Sequence, residues 1–156
     1  MARSIGNDAL SVWPGEIPIQ NRYTVGTGGE IFFRALKEHG KLIGTRCPTC
    51  NQVYAPARSF CERCFSKLTE EVEVGPKGTL VSYTFCYFDR DRQPLNPPLP
   101  LALVQLEGAT TVMLHYLLDP PSAENTTIGS TVEAVIKPAE NRTGSILDIE
   151  GFRLVR

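Results

Sequence analysis

Two pairs of cysteines constrain this chain more than any other feature of its sequence. Cys47 and Cys50 form one C-x-x-C pair, Cys61 and Cys64 form the second, and ten residues lie between the pairs. A C-x-x-C turn brings two sulfur atoms close enough to hold one ion, and two such turns supply the four ligands of a tetrahedral site. The spacing therefore predicts a metal site of the zinc-ribbon kind.

The nature of the four ligands predicts which metal is bound and what it does. Four thiolates suit zinc first and iron second. Because four protein ligands leave no position open for a substrate, we expect a structural ion rather than a catalytic one. Asn51 and Phe65 follow the two pairs. Phenylalanine adopts a left-handed backbone poorly, so we expect the second turn to be less regular than the first.

The cellular compartment bears on whether these cysteines pair with one another. The first residues contain no apolar segment of the signal-peptide kind, and the apolar runs at 101–106 and 112–118 are too short to cross a bilayer. We therefore expect a cytoplasmic protein, in which disulfides are rare. A thioredoxin-type redox site needs one C-x-x-C motif in a βαβ context, whereas this chain has two pairs.

Charge is unevenly distributed along the chain. Residues 41–67, the basic segment, carry five basic residues against one acidic residue, whereas residues 68–156 carry seven basic against twelve acidic. Part of the basic excess would balance a zinc ion held by four thiolates. The rest could contact a phosphate-bearing ligand or nucleic acid. A net charge of −1 for the whole chain disfavours nucleic acid.

One helix is predicted just before the cysteines. Thr27 and Glu30 have the spacing of a capping box, and Gly40 can end the helix in a left-handed conformation. Phe32 and Phe33 are adjacent and cannot both face the same core. We therefore expect one of them to point towards a partner or an acyl chain.

Residues 70–156 alternate between apolar and polar residues in five segments that are separated by turn-rich stretches. The predicted core faces of the first four strands are Val81, Tyr83, Phe85 and Tyr87; Ala102, Val104 and Leu106; Val112, Leu114, Tyr116 and Leu118; and Val132, Ala134 and Ile136. The fifth strand is expected within residues 146–155, with a bulge at Gly151. This pattern places His115 on the outer face of its strand.

The predicted fold is mainly β. An N-terminal helix and a rubredoxin-like zinc ribbon precede a five-stranded OB-fold barrel, because closing so small a sheet removes its exposed edges. A small sandwich is the alternative. The predicted organisation is an extended N-terminal arm at 1–26, the helix and ribbon at 27–69, and the barrel at 70–156.

The sequence offers no set of residues for catalysis. It contains neither a Ser-His-Asp arrangement nor a phosphate-binding glycine loop, and no carboxylate pair has a base beside it. Cys86 lies within a predicted strand and is typical of a small sheet residue rather than a nucleophile. A free-standing enzyme is therefore not indicated.

The order of these motifs resembles the zinc-ribbon plus OB-fold family that has long been catalogued as a domain of unknown function and is associated with acyl-CoA metabolism. The resemblance runs from about Tyr23 to the end of the sequence. Besides the two cysteine pairs, the motifs that carry it are Gly78-Thr79 at the entry to the first barrel strand, Tyr83-Thr84 after it, and Ile128-Gly129 before the fourth strand.

The resemblance implies a non-catalytic accessory subunit. Members of the family are partners of thiolase-like enzymes, of hydroxymethylglutaryl-CoA synthase, or of aldolases that cleave sterol side chains, and the partner supplies the catalytic residues. Two-subunit thiolases, among them one that acts on benzoylsuccinyl-CoA, have a small subunit of this build. The complex would cleave or condense a 3-oxoacyl-CoA. Its ligand would be a CoA thioester, and the partner of this chain would be a thiolase-like catalytic subunit.

The resemblance also implies roles for single residues. It carries over the metal ligands Cys47, Cys50, Cys61 and Cys64. It suggests contact with the partner or an acyl group for Phe32, Phe33 and Leu36, and contact with the CoA phosphates for Arg46, Arg58, Arg63 and Lys67. Two alternatives remain open. One is an OB-fold protein that binds single-stranded nucleic acid through Tyr83, Phe88 and the basic segment, and the other is a free-standing acyl-CoA-binding protein.

Overall fold

A computed structural model of the chain describes residues 23–118 and 127–155. Residues 1–22 of the arm that was predicted at 1–26 lie outside the described residues. The helix and the strands of the ribbon are α1 (Gly26–His39), β1 (Leu42–Arg46), β2 (Val53–Tyr54) and β3 (Glu70–Val74). The remaining strands are β4 (Lys77–Phe88), β5 (Pro94–Leu106), β6 (Val112–Tyr116), β7 (Thr131–Ile136) and β8 (Ile149–Leu154).

The strands form two sheets, and the larger one is an OB-fold barrel. The smaller sheet has the order β2-β1-β3, and all of its pairs are antiparallel. The larger sheet has the order β6-β5-β4-β7-β8. A parallel bridge between Leu117 and Phe152 joins the end of β6 to β8 and closes the sheet on itself. This strand order with one parallel closure is that of an OB fold, so the predicted fold class is confirmed over the sandwich.

The start of α1 differs from the prediction. No side chain caps the helix, and Thr27 Oγ1 instead lies 2.8 Å from Ser59 Oγ in the ribbon. The predicted capping box is therefore wrong, because the threonine hydroxyl binds a residue remote in sequence. The predicted end is confirmed, since Gly40 has a φ of 65° and its N–H bonds to the carbonyl of Leu36. Arg142 Nη1 also donates to that carbonyl, at 3.0 Å.

The buried face of α1 corrects two predicted contacts. Phe32 and Leu36 are fully buried in the core, so in this chain they are packing residues and are not available to a partner or an acyl group. Phe33 is half-buried against the same core. The helix lies so close to the ribbon at Gly28 that a Cβ there would come within 2.8 Å of the carbonyl oxygen of Ala57.

The predicted alternation is confirmed in β5 and β7 and wrong in β6. In β5, Ala102, Val104 and Leu106 are all buried. In β7, Val132 is buried, and Ala134 and Ile136 pack against the core. In β6, the buried residues are Met113 and His115, followed by Leu117 just beyond the strand, whereas Val112, Leu114 and Tyr116 are exposed. His115 is only 6% exposed and therefore lies on the core face, opposite to the prediction.

β-Bulges explain the other positions where the side chains that face the core differ from the prediction. The pairing of β4 with β5 shifts register between Leu80 and Ser82, so Leu80 faces the core and Val81 is exposed. Farther along β4, Tyr83 and Phe85 are half-buried, whereas Tyr87 is exposed. The bulge predicted at Gly151 is confirmed by a register shift where β8 pairs with β7. The last strand is shorter than predicted, because residues 146–148 form a turn of 3-10 helix.

One continuous core joins the helix, the ribbon and the barrel. It includes Phe32 from the helix, Val53 from the ribbon and Val104 from the barrel. Hydrogen bonds tie the ribbon to the turn between β5 and β6. Thr110 Oγ1 accepts from Val53 N at 2.9 Å and donates to Val53 O at 3.0 Å, and Thr111 makes the same pair of bonds to Ala55. The ribbon is thus held in a fixed position on the barrel.

Candidate metal centre

The two C-x-x-C turns bring their four sulfur atoms together. The Sγ atoms of Cys47, Cys50, Cys61 and Cys64 all lie within 4.8 Å of one another. Three pairs are 3.4 Å apart and the Cys50–Cys64 pair is 3.8 Å apart. A tetrahedral zinc ion with bonds of about 2.3 Å places its sulfur ligands about 3.8 Å apart. The four cysteines are therefore positioned for metal binding, and the donor set fits zinc.

Both turns have the same backbone geometry. The N–H of Asn51 bonds to the carbonyl of Cys47 at 3.0 Å, and the N–H of Phe65 bonds to the carbonyl of Cys61 at 3.0 Å. Asn51 and Phe65 both adopt the left-handed conformation, with φ of 55° and 60°. The prediction of a less regular second turn is wrong. Phe65 accepts the left-handed backbone that the position of the sulfurs requires.

Hydroxyl groups that were not predicted from the sequence lie next to two of the sulfurs. Tyr54 is buried on β2, and its hydroxyl oxygen lies 3.2 Å from Cys61 Sγ. Ser66 Oγ lies 3.3 Å from Cys64 Sγ and 2.9 Å from Thr49 Oγ1 of the first turn. Hydroxyl donors next to a thiolate offset its charge and orient it towards a metal. Only the position of Ser66, two residues after Cys64, gave a signal in the sequence.

The ionisation of the cysteines favours a bound cation at the cluster. The hydrogen bond with Tyr54 lowers the pKa of Cys61 to about 6 and favours its thiolate, and it raises the pKa of Tyr54 to about 12. The hydrogen bond with Cys47 and that with Cys61 raise the pKa of Cys50 to about 12. Four anionic sulfurs this close repel one another, so a bound cation is what allows all four to ionise together.

Two of the four basic residues that were predicted to contact the CoA phosphates form ion pairs with glutamates of this chain. Arg46 Nε lies 3.1 Å from a carboxylate oxygen of Glu70. Arg58 Nη1 lies 2.7 Å from a carboxylate oxygen of Glu62, and its guanidinium group is 5.1 Å from the centre of the Tyr54 ring. Among residues 23–118 and 127–155, Arg63 and Lys67 have no ion pair. Of these four basic residues, Arg63 and Lys67 are therefore the two whose charge is not paired within the described part of the chain.

Two protein-family models match this chain, and the boundary between them lies at the end of the ribbon. Residues 34–70 match the family described as the rubredoxin-like zinc ribbon domain of ChsH2, and residues 71–137 match the C-terminal OB-fold domain of ChsH2.

In the described part of the chain, α1 is too short and too polar to cross a membrane.

Curated relatives cover most of the chain. A protein of Methanocaldococcus jannaschii described as a DUF35 domain-containing scaffold protein is 31% identical over 106 residues, which are 67% of this chain and 74% of the relative. A protein of Pyrococcus furiosus with the same description is 30% identical over 122 residues, which are 78% of this chain and 88% of the relative.

Solved structures share the fold. A DUF35 family protein from Sulfolobus solfataricus superposes with a TM-score of 0.61 at 28% identity, over 83% of this chain and 84% of that chain. A chain of the Ltp2-ChsH2(DUF35) aldolase superposes with a TM-score of 0.58 at 22% identity, over 85% of this chain and 98% of that chain. Its paired cysteines, its barrel and these relatives place this chain in the DUF35 family, in which a zinc ribbon precedes an OB-fold barrel.

Proposed function

We propose that this protein is a non-catalytic accessory subunit of a thiolase-type acyl-CoA enzyme. The observation that carries the proposal is the closed metal centre. Its four cysteine ligands leave no open position, so a zinc ion there would stabilise the ribbon and would not bind a substrate. Such a ribbon presents a rigid surface to a second protein.

The names of the relatives support a role in assembly. The two curated relatives are described as scaffold proteins, and one similar fold is a chain of the Ltp2-ChsH2(DUF35) aldolase. On the family resemblance, the partner of this chain is a thiolase-like subunit that contributes the catalytic residues. The complex would cleave or condense a 3-oxoacyl-CoA in the cytoplasm, and benzoylsuccinyl-CoA is one candidate substrate.

Activity measurements on separated and recombined subunits test this proposal. The zinc-loaded chain alone should not cleave a 3-oxoacyl-CoA in the presence of free CoA. A thiolase-like subunit that co-purifies with it should gain activity or stability when the chain is added. Thiolytic cleavage by the purified chain alone would contradict the proposal, and so would a partner whose activity and stability do not depend on the chain.

The CoA thioester is proposed as a ligand of the complex. Arg46 and Arg58 already pair with glutamates, so a CoA-phosphate contact by this chain would depend on Arg63 and Lys67. Calorimetric titration with CoA should therefore detect binding to the assembled complex and little binding to the chain alone. Tight binding of CoA to the isolated chain would instead favour a free-standing acyl-CoA-binding protein.

Binding of single-stranded nucleic acid is the second candidate function, and the aromatic residues of β4 favour it. The ring centres of Tyr83 and Phe85 are 6.2 Å apart, those of Phe85 and Tyr87 are 6.4 Å apart, and Phe88 is exposed. Such a row can stack bases. The acidic excess of residues 68–156 opposes it. A fluorescence titration with oligonucleotides at low and high salt decides, because nucleic-acid binding would weaken steeply with salt.

A further inference from the structure

Phe65 combines an unfavourable backbone with an exposed side chain. Its φ is 60°, a conformation that costs free energy for any residue with a Cβ and that asparagine tolerates better than phenylalanine. Its side chain is 79% exposed, so burial within this chain does not compensate that cost. The metal turn sets this backbone, as it does at Asn51, so the large exposed apolar side chain at this position is the feature that points to a function outside the fold of the isolated chain.

Three more exposed side chains lie within the same few residues. Phe60 is 60% exposed and forms an antiparallel bridge with Lys67, so the two residues lie directly opposite each other and their side chains project to the same side. Arg63 lies in the turn between Cys61 and Cys64 and is also exposed. We call Phe60, Arg63, Phe65 and Lys67 the second-knuckle surface.

The charges of this surface are unusual for the ribbon. Lys41, Arg46 and Arg58 each form an ion pair with a glutamate of this chain, at 2.7 to 3.1 Å. Within the described residues, Arg63 and Lys67 form none. Two cations without an ion pair and two exposed aromatic rings thus lie between Phe60 and Lys67, and a complementary surface would be acidic around an apolar centre.

The shape of the surface favours a protein over a small molecule. Small ligands are bound in concave sites that bury most of their surface. Four cavities of 210 to 450 Å³ lie along α1 and in the barrel, and other residues line them. The four residues of the second-knuckle surface line none of these cavities, and all four are exposed. Exposed aromatic residues flanked by arginine are typical of the residues that dominate protein–protein binding energies.

We propose that the second-knuckle surface docks onto an acidic patch of the catalytic subunit, with Phe65 inserted into an apolar pocket of that subunit. This inference depends on the proposed function, because it names the surface through which the accessory subunit binds its partner. The metal centre then has a definite role in assembly. It holds Phe65 in a left-handed turn that the partner recognises.

Phe65→Asn separates docking from folding. Asparagine accepts the left-handed backbone, so the variant should bind zinc fully and melt at the same temperature as the wild type or higher. Its affinity for the purified catalytic subunit, measured by calorimetry with the zinc-loaded chain, should fall by about 30-fold or more, as for an interface hot spot. Phe88→Asn is the matched control. It removes an exposed phenylalanine from the barrel hairpin and should leave the affinity unchanged.

Reversing the charge of Arg63 or Lys67 tests whether the surface of the partner that binds them is acidic. Arg63→Glu and Lys67→Glu should each weaken binding at low salt and reduce its dependence on ionic strength, because exposed charges are screened by salt. If the wild type binds no thiolase-like subunit, the proposed function fails and this inference fails with it. If the wild type binds and Phe65→Asn binds equally well, only this inference is overturned.

Three further results would also overturn it. Unchanged affinity for the subunit together with a raised KM for CoA in the Arg63→Glu and Lys67→Glu complexes would assign these cations to the CoA phosphates. Loss of oligonucleotide binding in the same variants, with the subunit still bound, would assign them to nucleic acid. A homodimer of this chain that Phe65→Asn dissociates, again with the subunit still bound, would assign the surface to a second copy of the chain.

Discussion

At the scale of single residues, the metal centre depends on side chains that are not ligands. Tyr54 contacts the sulfur of Cys61, and Ser66 contacts both that of Cys64 and the hydroxyl of Thr49 in the other turn. Such contacts fix the orientation of a ligand and tune its charge, and their removal typically lowers metal affinity by about 10–100-fold.

Tyr54→Phe removes only the hydroxyl that contacts Cys61. We expect the variant to fold and to bind one zinc ion with about 10-fold lower affinity, because the Cys61 thiolate loses a hydrogen bond that stabilises its charge. Competition with a chromogenic chelator measures this affinity. Tyr83→Phe, in the barrel, is the control, and an affinity equal to that of the wild type in both variants would show that the Tyr54 hydroxyl does not act on the metal.

His115 makes stability depend on pH. Tyr116 N–H donates to its Nδ1 at 2.9 Å, so its Nε2 carries the proton that bonds to the carbonyl of Ile146 at 3.2 Å, and the imidazole is neutral. Burial lowers the pKa of His115 below the ordinary value of 6.5. Its contribution to stability is therefore complete above pH 6.5 and is lost as the pH falls through the lower folded-state pKa.

Urea unfolding between pH 5 and 8 measures this effect. The midpoint of the wild type should fall as the pH decreases below about 6.5. His115→Asn should reduce this dependence, whereas His39→Gln, which changes the other histidine of the chain, should retain it. Equal pH dependence in the wild type and His115→Asn would contradict the assignment.

At the scale of secondary-structure elements, the sequence predicted that the helix and the barrel strands exist, but it predicted less well which side chains of each strand face the core. In β6, apolar side chains occur on both faces, so a period of two fits either face and the sequence could not show that His115 points inward. In β4, a bulge after Leu80 reverses the alternation. Such a bulge leaves little local signal, because the pairing with a distant strand determines it.

The predicted core face of the second strand begins only at Ala102, because the residues before it are rich in proline, which cannot donate to a ladder. The structure extends the strand back to Pro94, and this part pairs with β4 alone. The cysteine pairs were the opposite case. Their chemistry and spacing are local, so the sequence was sufficient to predict a cluster that could hold a metal.

The connection between the ribbon and the barrel depends on two threonines. Their hydroxyl groups bond to the backbone of Val53 and Ala55 in the ribbon. Combining Thr110→Val with Thr111→Val keeps the side-chain volume and removes the hydroxyl partners of Val53 N and of both backbone groups of Ala55, whereas the carbonyl of Val53 keeps its bond from Thr110 N–H. We expect a loss of about 2–4 kcal/mol in the free energy of unfolding, measured with urea. Thr79→Val and Thr84→Val, at exposed positions of β4, should change it little.

At the scale of the whole molecule, two hydrophobic clusters differ in what holds them together. The large core runs through the helix, the ribbon and the barrel, whereas a small cluster around Tyr54 and Leu68 contains the buried cysteines. Zinc contributes about 10–16 kcal/mol to the folding of small ribbons. The small cluster should therefore depend on metal, and the barrel should not.

Cys61→Ser tests this division. The variant should lose its metal, and the segment from Cys47 to Leu68 should become sensitive to protease, while the barrel strands persist with a lower melting temperature. Elemental analysis and limited proteolysis with mass spectrometry measure both effects, and elemental analysis of the wild type distinguishes zinc from iron. Full zinc content in Cys61→Ser would contradict a site of four thiolates.

The most direct test of the central claim is native mass spectrometry of the tagged chain after capture from its source cells. We predict a complex in which a thiolase-like chain is bound in fixed stoichiometry, with one zinc ion for each copy of this protein. A chain that is recovered without a thiolase-like partner, with nucleic acid or by itself, would contradict its role as an accessory subunit.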